Sequence, residues 1–103
     1  MNIGQAVDAL KEGKRVRCYE WDSSKKFVFM QVPAVIKSEI VPKMQSLPDS
    51  VKSYFNETFE SESEQIDAVY YMNQIALVGL SNTVESYSPT CRDLLSESWV
   101  VLD

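Results

Sequence analysis

The sequence holds few residues with the chemistry of an active site. It has no histidine, which removes the commonest general base, most catalytic triads and most catalytic zinc sites. Cys18 and Cys91 lie far apart with no CxxC or metal-binding spacing, so we expect them to be reduced. The carboxylates show no spacing typical of a metal or acid–base site. The sequence therefore favours binding over catalysis, with no metal and no other cofactor.

The stretch SPTCRDLLSESWVVLD, residues 88–103, has the residue types of a capped turn. Thr90 and Asp93 have capping-box spacing, in which each side chain accepts a hydrogen bond from the other residue's backbone N–H. We predict that Pro89 ends a preceding strand, that Thr90 and Asp93 start a short helix, and that Trp99 lies in the core of a last strand.

Hydrophobic periodicity predicts one main helix at the N-terminus, over residues 2–12. Asn2 and Gln5 form a predicted capping box at its start, and Gly13 is a predicted stop. Four apolar residues fall at i, i+3, i+4 and i+7 spacing: Ile3, Ala6, Val7 and Leu10. This apolar stripe must pack against the rest of the fold.

Alternating and apolar runs predict the strands that the helix covers. In residues 14–21, Val16 and Cys18 fall on one side and Arg15 and Arg17 on the other. Residues 27–32 form a predicted hairpin partner with two apolar faces, one to be covered by the helix and one by a neighbouring subunit or a ligand. Further strands are predicted over residues 68–72, 73–80, 83–87 and 98–103. Ser81 and Asn82 are a predicted turn.

The middle of the chain, residues 33–66, is predicted to be irregular because three prolines interrupt it. Asp49 is a predicted cap of a helix, and the polar residues 57–65 a predicted mobile loop. One face of that helix would carry Val51, Tyr54, Phe55 and Phe59. The fold class is therefore α+β: a small antiparallel sheet with one main N-terminal helix and short inserted helices. We expect a single domain over 1–103, with a variable insert at about 33–66.

Charge is distributed unevenly along the chain. Residues 1–52 carry a formal charge of +3 and residues 53–103 carry −8, for a net charge of −5. This balance argues against a DNA-binding surface. The chain also lacks an apolar run of the roughly 18 residues that span a membrane, and its N-terminus is a charged amphipathic helix rather than a signal peptide. We expect a cytoplasmic protein that does not bind membranes.

The order of several motifs resembles the Thoeris anti-defence type 2 family of phage and prophage proteins. The first is MNIGQAVDALKEGKRV, followed by Trp21, a polar turn and FVF. The middle, VPAVIKSEIVPKMQSLPDSVK, resembles a longer subgroup. NQIALV, a two-residue turn and SYSPTCRDLLSESWVVLD then match the C-terminal block. The resemblance covers the chain except for about 56–66, and the motifs are specific in their order and spacing rather than singly.

The resemblance implies a function and an assembly. Members of the family act as sponges: they bind the cyclic ADP-ribose isomers made by Thoeris sensors, such as glycocyclic ADP-ribose, without cleaving them. Some also hold cyclic oligonucleotides of other defence systems, among them CBASS. Members form homotetramers with ligand pockets between subunits. For this chain the resemblance therefore implies a non-enzymatic, nucleotide-sequestering anti-defence protein in the host bacterial cytoplasm.

The resemblance also implies ligand-binding residues. Trp21 would stack on an adenine or close the pocket, with a core position as the alternative. Phe27 matches the aromatic residue after the turn and would contact the ligand, again with a core position as the alternative. Tyr87 stands where the family usually has Trp, which keeps a ring for stacking. Ser88, Pro89 and Thr90 match the turn that follows, whose N–H groups could bind a pyrophosphate next to Asp93. Capping alone would also explain Thr90 and Asp93.

The remaining candidates are polar or charged. Asn73 could contact a base edge or a ribose, or lie exposed at a bend. Arg17 and Arg92 are candidates to neutralise phosphate, with a salt bridge as the alternative role. Cys91 replaces a frequent glutamine of the family, which removes any polar contact that the glutamine makes.

Two other functions are alternatives to sequestration. One is an acidic protein–protein inhibitor, or a mimic of a nucleic-acid backbone, which would use Glu57, Glu60, Glu62, Glu64 and Asp67. Its activity would depend strongly on salt. The other is a phosphodiesterase of the same ligands, for which the sequence offers no metal or base site.

Overall fold

The computed structural model describes residues 1–61, 63 and 65–103. The chain divides into two compact units, one of Met1–Val32 with Asn73–Asp103 and the other of Pro33–Met72. The helices are α1 (Ile3–Lys11), α2 (Asp49–Glu60) and α3 (Cys91–Leu95), with a 3-10 turn at Val41–Lys43. The strands are β1 (Val16–Cys18), β2 (Phe27–Gln31), β3 (Ala34–Lys37), β4 (Ala68–Tyr71), β5 (Gln74–Val78), β6 (Val84–Ser86) and β7 (Trp99–Val101). The predicted α+β class is confirmed. The single-domain organisation stays a prediction.

The first unit is built on a five-stranded antiparallel sheet in the order β6-β5-β2-β1-β7. Val16 of β1 lies opposite Val28 of β2, which confirms the predicted pairing of these two strands. Cys18 of β1 lies opposite Trp99 of β7. The strand β7 thus pairs with β1 and forms one edge of the sheet.

Helix α1 packs on one face of this sheet, as its apolar stripe predicts. Asn2 and Gln5 form both hydrogen bonds of the predicted capping box. The chain leaves the helix at Gly13, whose φ of +86° suits glycine best. The core beneath α1 consists of Ala6, Ala9, Leu10, Val16, Cys18, Val28 and Trp99. Trp99 is therefore a core residue, as predicted.

The turn between β5 and β6 also follows the sequence. Asn82 has a φ of +58°, the left-handed conformation that asparagine tolerates, in the predicted Ser81–Asn82 turn. The turn returns the chain antiparallel, so that Leu77 of β5 lies opposite Glu85 of β6. This pairing places Glu85 on the sheet face that carries Val28, because Leu77 also lies opposite Val28.

The second unit pairs β3 with β4 in a two-stranded antiparallel sheet. Three predictions for this unit are wrong. Residues 34–37, which belong to the segment predicted to be irregular, form the strand β3. Pro48 is the N-cap of α2, and Asp49 is its first residue and makes no side-chain cap. The helix continues to Glu60, so residues 57–60 are helical rather than part of a loop. Their acidic side chains are compatible with a helix whose residues all remain at least partly exposed. Glu62 and Glu64 lie outside the described residues.

None of the helices in the described part of the chain is both long enough and apolar enough to cross a membrane.

Candidate functional site

A cleft of about 440 Å³ opens in the first unit beside the sheet. Its walls come from the segment after β1, from the neighbouring strands β5 and β6, and from the turn that enters α3. The residues that line it are Trp21, Asp22, Lys26, Leu77, Glu85, Ser86, Tyr87, Ser88, Thr90 and Asp93. Clefts of roughly 300–1,000 Å³ commonly bind small organic molecules, so the volume suits such a ligand.

Two half-buried aromatic rings, Trp21 and Tyr87, line this cleft. Their centroids are 6.0 Å apart and their planes are tilted by 58°. Both rings pack edge-on against buried Trp99, at centroid distances of 5.4 Å for Trp21 and 6.5 Å for Tyr87. Aromatic pairs in such edge-to-face arrangements stabilise each other beyond the area they bury. Trp99 thus supports the pair from the core.

The buried carboxylate of Asp93 joins both rings to the start of α3. It accepts a hydrogen bond of 3.0 Å from Trp21 Nε1 and one of 2.7 Å from the Tyr87 hydroxyl. The Thr90 N–H donates a third, at 3.2 Å. The Trp99 indole N–H donates to the Asp93 backbone carbonyl at 2.9 Å. Because the polar atoms of Trp21 and Tyr87 are committed to Asp93, the two rings offer a ligand their faces rather than hydrogen bonds.

The protonation states of this group follow from its surroundings. Burial acts to raise the pKa of Asp93, but the hydrogen bonds from Trp21, Tyr87 and Thr90 outweigh it and hold the pKa below its ordinary value. Burial, and then the hydrogen bond and negative charge of Asp93, raise the pKa of Tyr87 well above the usual tyrosine value. At neutral pH Asp93 is therefore an ionised acceptor and Tyr87 a neutral donor.

The turn before α3 has the predicted capping box. The Asp93 N–H donates to Thr90 Oγ1 at 3.1 Å, and the Thr90 N–H donates to the Asp93 carboxylate. These two N–H groups are already satisfied, and a carboxylate lies beside them, which disfavours a phosphate at this point. Ser88 and Thr90 line the cleft. The capping role is confirmed, and ligand binding by Ser88, Pro89 and Thr90 stays a prediction.

Pro89 lies instead at a separate apolar cavity of about 310 Å³ beneath α1. Ile3, Leu10 and Leu94 contribute to its lining, and Tyr87 borders both this cavity and the cleft. The cavity therefore adjoins the core side of the aromatic pair.

Arg17, a predicted phosphate contact, is not among the residues that line the cleft. Its side chain is buried, and its Nη2 donates to the backbone carbonyls of Ser23 at 3.0 Å and Trp21 at 3.4 Å. Its Nε has no hydrogen-bond partner in the described part of the chain. In this structure Arg17 tethers the segment that carries Trp21, and its contact with a ligand stays a prediction.

Three other candidates also lie away from the cleft lining. Phe27 occupies the sheet face opposite Val28, and its ring contacts the Arg15 guanidinium at 5.3 Å from the ring centroid. Asn73 is exposed just before β5, in agreement with the alternative that it lies exposed at a bend. Arg92 is exposed and lies 3.9 Å from Glu20 in an ion pair. Ligand contacts by Phe27 and Asn73 remain predictions.

The cleft also contains residues that the sequence did not single out. Asp22 and Lys26 form an i, i+4 ion pair at 3.4 Å in the polar turn after Trp21. Glu85 precedes Tyr87 by two residues, and this spacing along a strand would have placed both on one face. Leu77 comes from the paired strand, and no local pattern predicts its contribution.

A sequence profile identifies the family. The Tad2-like profile, described as the Thoeris anti-defense 2-like domain, matches residues 1–102. No individual curated protein is a significant match to the chain. The profile covers both the aromatic pair and the capped turn that holds it, together with nearly all of the remaining sequence. The chain therefore belongs to the Tad2-like family of Thoeris anti-defense proteins.

Proposed function

We propose that this protein binds cyclic ADP-ribose-type immune signals, glycocyclic ADP-ribose in particular, and holds them so that the Thoeris effector is not activated. The observation that carries the proposal is the Trp21–Tyr87 pair, held by Asp93 in a cleft of suitable size. Stacking of a base on an aromatic ring contributes about 1–3 kcal/mol and tolerates different bases. The same pair could therefore serve cyclic oligonucleotides of CBASS.

The proposed action is sequestration rather than catalysis. Asp93 is the carboxylate closest to both rings, and its depressed pKa and three hydrogen bonds make it a weak general base. The same hydrogen bonds fix the rings before a ligand arrives. Ordering costs subtract from affinity, so a preformed pair of rings favours the tight holding that a sponge requires.

We also propose that the protein self-associates, as a homotetramer in the host cytoplasm. The first unit exposes apolar side chains outside the cleft lining, among them Leu80 and Val84, each 60% exposed, in and beside the turn between β5 and β6. Contact of these side chains with a neighbouring subunit would bury apolar surface and so stabilise an assembly, while the number of four subunits rests on the resemblance to the family. Light scattering during size-exclusion chromatography tests the proposal: a mass of four chains supports it, and a monomer contradicts it.

Calorimetric titration with a panel of cyclic ADP-ribose isomers and cyclic dinucleotides tests the function. The bound ligand is then released by heat and its mass is measured. We expect tight binding of at least one cyclic ADP-ribose isomer and its recovery intact. Recovery with altered mass would show an enzyme, and no binding across the panel would contradict the proposal.

An acidic inhibitor of a basic protein, or a nucleic-acid mimic, is the second candidate. Glu57 and Glu60 on α2 and Asp67 before β4 are all exposed, which favours it. Glu62 and Glu64, which belong to the same acidic run, lie outside the described residues. Neutralising all five acids should abolish anti-defence activity and its salt dependence under this candidate, and should leave nucleotide sequestration nearly unchanged.

A further inference from the structure

The charge of the cleft restricts which part of a nucleotide can enter it. The lining carries three carboxylates, those of Asp22, Glu85 and Asp93, and one amine, that of Lys26. With all four groups ionised, the formal charge of the lining is −2. A pyrophosphate next to these carboxylates would be repelled, and Lys26 already pairs with Asp22. The cleft lining therefore suits the nucleoside of a ligand better than its phosphates.

Glu85 differs from the other two carboxylates. The hydrogen bonds that carboxylates accept in the described part of the chain go to Asp103, Asp93 and Glu20. The ion pairs found in that part of the chain also leave Glu85 out. An ionised carboxylate accepts hydrogen bonds and donates none. Glu85 thus offers the cleft two unused acceptor oxygens.

The position of Glu85 relates it to the aromatic pair. Tyr87 continues the line of β6, since its N–H donates to the Ile75 carbonyl at 2.9 Å. Glu85 and Tyr87 are two residues apart and share a face, at a separation of about 7 Å along the strand. A base stacked on Tyr87 can place its ribose within reach of Glu85, because this separation is close to the distance between a base and its ribose hydroxyls. Carboxylates recognise ribose hydroxyls in this way in dinucleotide-binding folds.

We propose that Glu85 is a specificity-determining residue, which accepts hydrogen bonds from the ribose hydroxyls of a nucleoside whose base stacks on Tyr87, with Trp21 at its edge. This inference rests on the proposed function, since it takes the aromatic pair as the binding site for the base. The ligand class is a ribonucleoside within a cyclic nucleotide, and its phosphates point away from Glu85. The proposal explains how a lining with excess negative charge can still select a nucleotide.

Titrations of Glu85→Ala and Glu85→Gln with the tightest-binding cyclic ADP-ribose isomer test the proposal. Charged hydrogen bonds contribute enough that Glu85→Ala should weaken binding about tenfold or more. Glu85→Gln, which keeps one acceptor oxygen, should lie between Glu85→Ala and the wild type. Asp8→Ala is the matched control, because Asp8 is exposed on α1 and its loss changes the net charge equally. We expect Asp8→Ala to bind as the wild type does.

The direction of the affinity change in Glu85→Ala distinguishes ligand recognition by Glu85 from simple repulsion by its charge. If Glu85 only repels the ligand, Glu85→Ala should bind the anionic ligand equally well or more tightly, and this result would overturn the inference. The deoxyribose analogue of the same isomer completes a thermodynamic cycle with the Glu85→Ala variant. The analogue should bind the wild type about tenfold more weakly than the isomer does, and its affinity should fall no further in Glu85→Ala. Independent losses from the two changes would also overturn it.

The titrations distinguish an error in the role of Glu85 from an error in the proposed function. If the wild type binds none of the isomers, the proposed function is wrong and the inference falls with it. If the wild type binds and Glu85→Ala binds equally well, only the inference is wrong. If Glu85→Ala weakens binding but the deoxyribose analogue binds the wild type normally, Glu85 contacts the base edge and the assignment to ribose is wrong.

Discussion

The Tyr87 hydroxyl donates a hydrogen bond of 2.7 Å to the Asp93 carboxylate, and the same carboxylate accepts the indole N–H of Trp21 at 3.0 Å. One buried group therefore sets the positions of two aromatic rings that are 66 residues apart in the sequence. Because Asp93 also caps α3, the short helix and the aromatic pair depend on each other. We propose that this pair is the platform on which a base stacks.

Replacing Asp93 with Asn should destabilise the protein and loosen both rings. Asparagine cannot accept from Trp21, Tyr87 and Thr90 together, since its amide N–H₂ only donates. Hydrogen bonds to charged groups contribute about 1.5–3 kcal/mol each, so we expect the free energy of unfolding to fall by about 2–3 kcal/mol. Denaturant titration measures this change, and the combined fluorescence of Trp21 and Trp99, which contact each other, should report more mobile rings.

The matched control for this prediction is Asp22→Asn. Asp22 also lines the cleft, but 84% of its side chain is exposed and it only pairs with Lys26. Its replacement should change the free energy of unfolding by less than about 0.5 kcal/mol. Equal stabilities of Asp93→Asn and Asp22→Asn would show that the buried hydrogen bonds contribute nothing.

Acid should remove the contribution of Asp93 to stability. Its pKa in the folded state is below its ordinary value, so the unfolded chain binds a proton more readily. The stabilisation is therefore complete above the ordinary pKa of aspartate, about 4, and is lost as the pH falls through the folded-state value. Denaturant titrations from neutral pH down to strongly acidic pH should show this loss in the wild type and a smaller one in Asp93→Asn.

Asp103 provides the control for the acid prediction. Hydrogen bonds from the Arg15 backbone and side chain lower the pKa of this exposed carboxyl as well. Asp103→Asn should therefore remove a separate part of the acid dependence and retain the part due to Asp93. If Asp93→Asn and the wild type have identical acid profiles, the hydrogen bonds to Asp93 do not persist in solution.

Alkali should remove the contribution of Tyr87 to stability. Its folded-state pKa is raised, so its contribution to stability is complete below the ordinary tyrosine pKa of about 10 and is lost as the pH rises above it. Ultraviolet titration of tyrosinate should show one tyrosine that ionises only when the protein unfolds. The tyrosine that ionises only on unfolding should be absent in Tyr87→Phe. If Tyr87→Phe instead loses a tyrosine that ionises in the folded protein, the result would contradict the buried hydrogen bond.

Replacing Arg17 with Lys should disturb the segment that carries Trp21 without changing the salt dependence of ligand binding. A lysine ammonium lacks the planar geometry with which Arg17 reaches the Trp21 and Ser23 carbonyls. We expect a less stable protein with weaker binding at every salt concentration. Because lysine keeps the positive charge, Arg17→Gln tests the charge itself: a loss of binding in Arg17→Gln that is greatest at low salt, measured calorimetrically, would indicate that Arg17 contacts a phosphate instead.

Local signals made much of the first unit predictable. The capping boxes at Asn2–Gln5 and Thr90–Asp93 involve residues three apart, and both form as expected. The turn at Asn82 and the pairing of β1 with β2 likewise depend on short segments. In α2 the residues 57–60, which include Glu57 and Glu60, misled the prediction, because polar composition does not separate an exposed helix from a loop.

The chemistry of the site was less predictable because long-range contacts determine it. Nothing local in the sequence indicates that Asp93 accepts hydrogen bonds from Trp21 and Tyr87 in addition to capping a helix. Arginine is a residue type that commonly binds phosphate, yet the Arg17 side chain is buried and its Nη2 donates to the backbone carbonyls of Trp21 and Ser23. Pairing of strands β5 and β6 likewise determines that Glu85 and Leu77 share the cleft.

The most direct measurement is the affinity of Trp21→Ala and Tyr87→Ala for the cyclic ADP-ribose isomer that the wild type binds best. Tyr19→Ala is the control, since Tyr19 is an exposed aromatic residue outside the cleft lining. Circular dichroism verifies that each variant is folded. We predict that each cleft variant loses at least about tenfold in affinity, consistent with about 1–3 kcal/mol for a stacked base, and that Tyr19→Ala binds as the wild type does. If both cleft variants fold and bind with unchanged affinity, the aromatic pair is not the binding platform and our account is wrong.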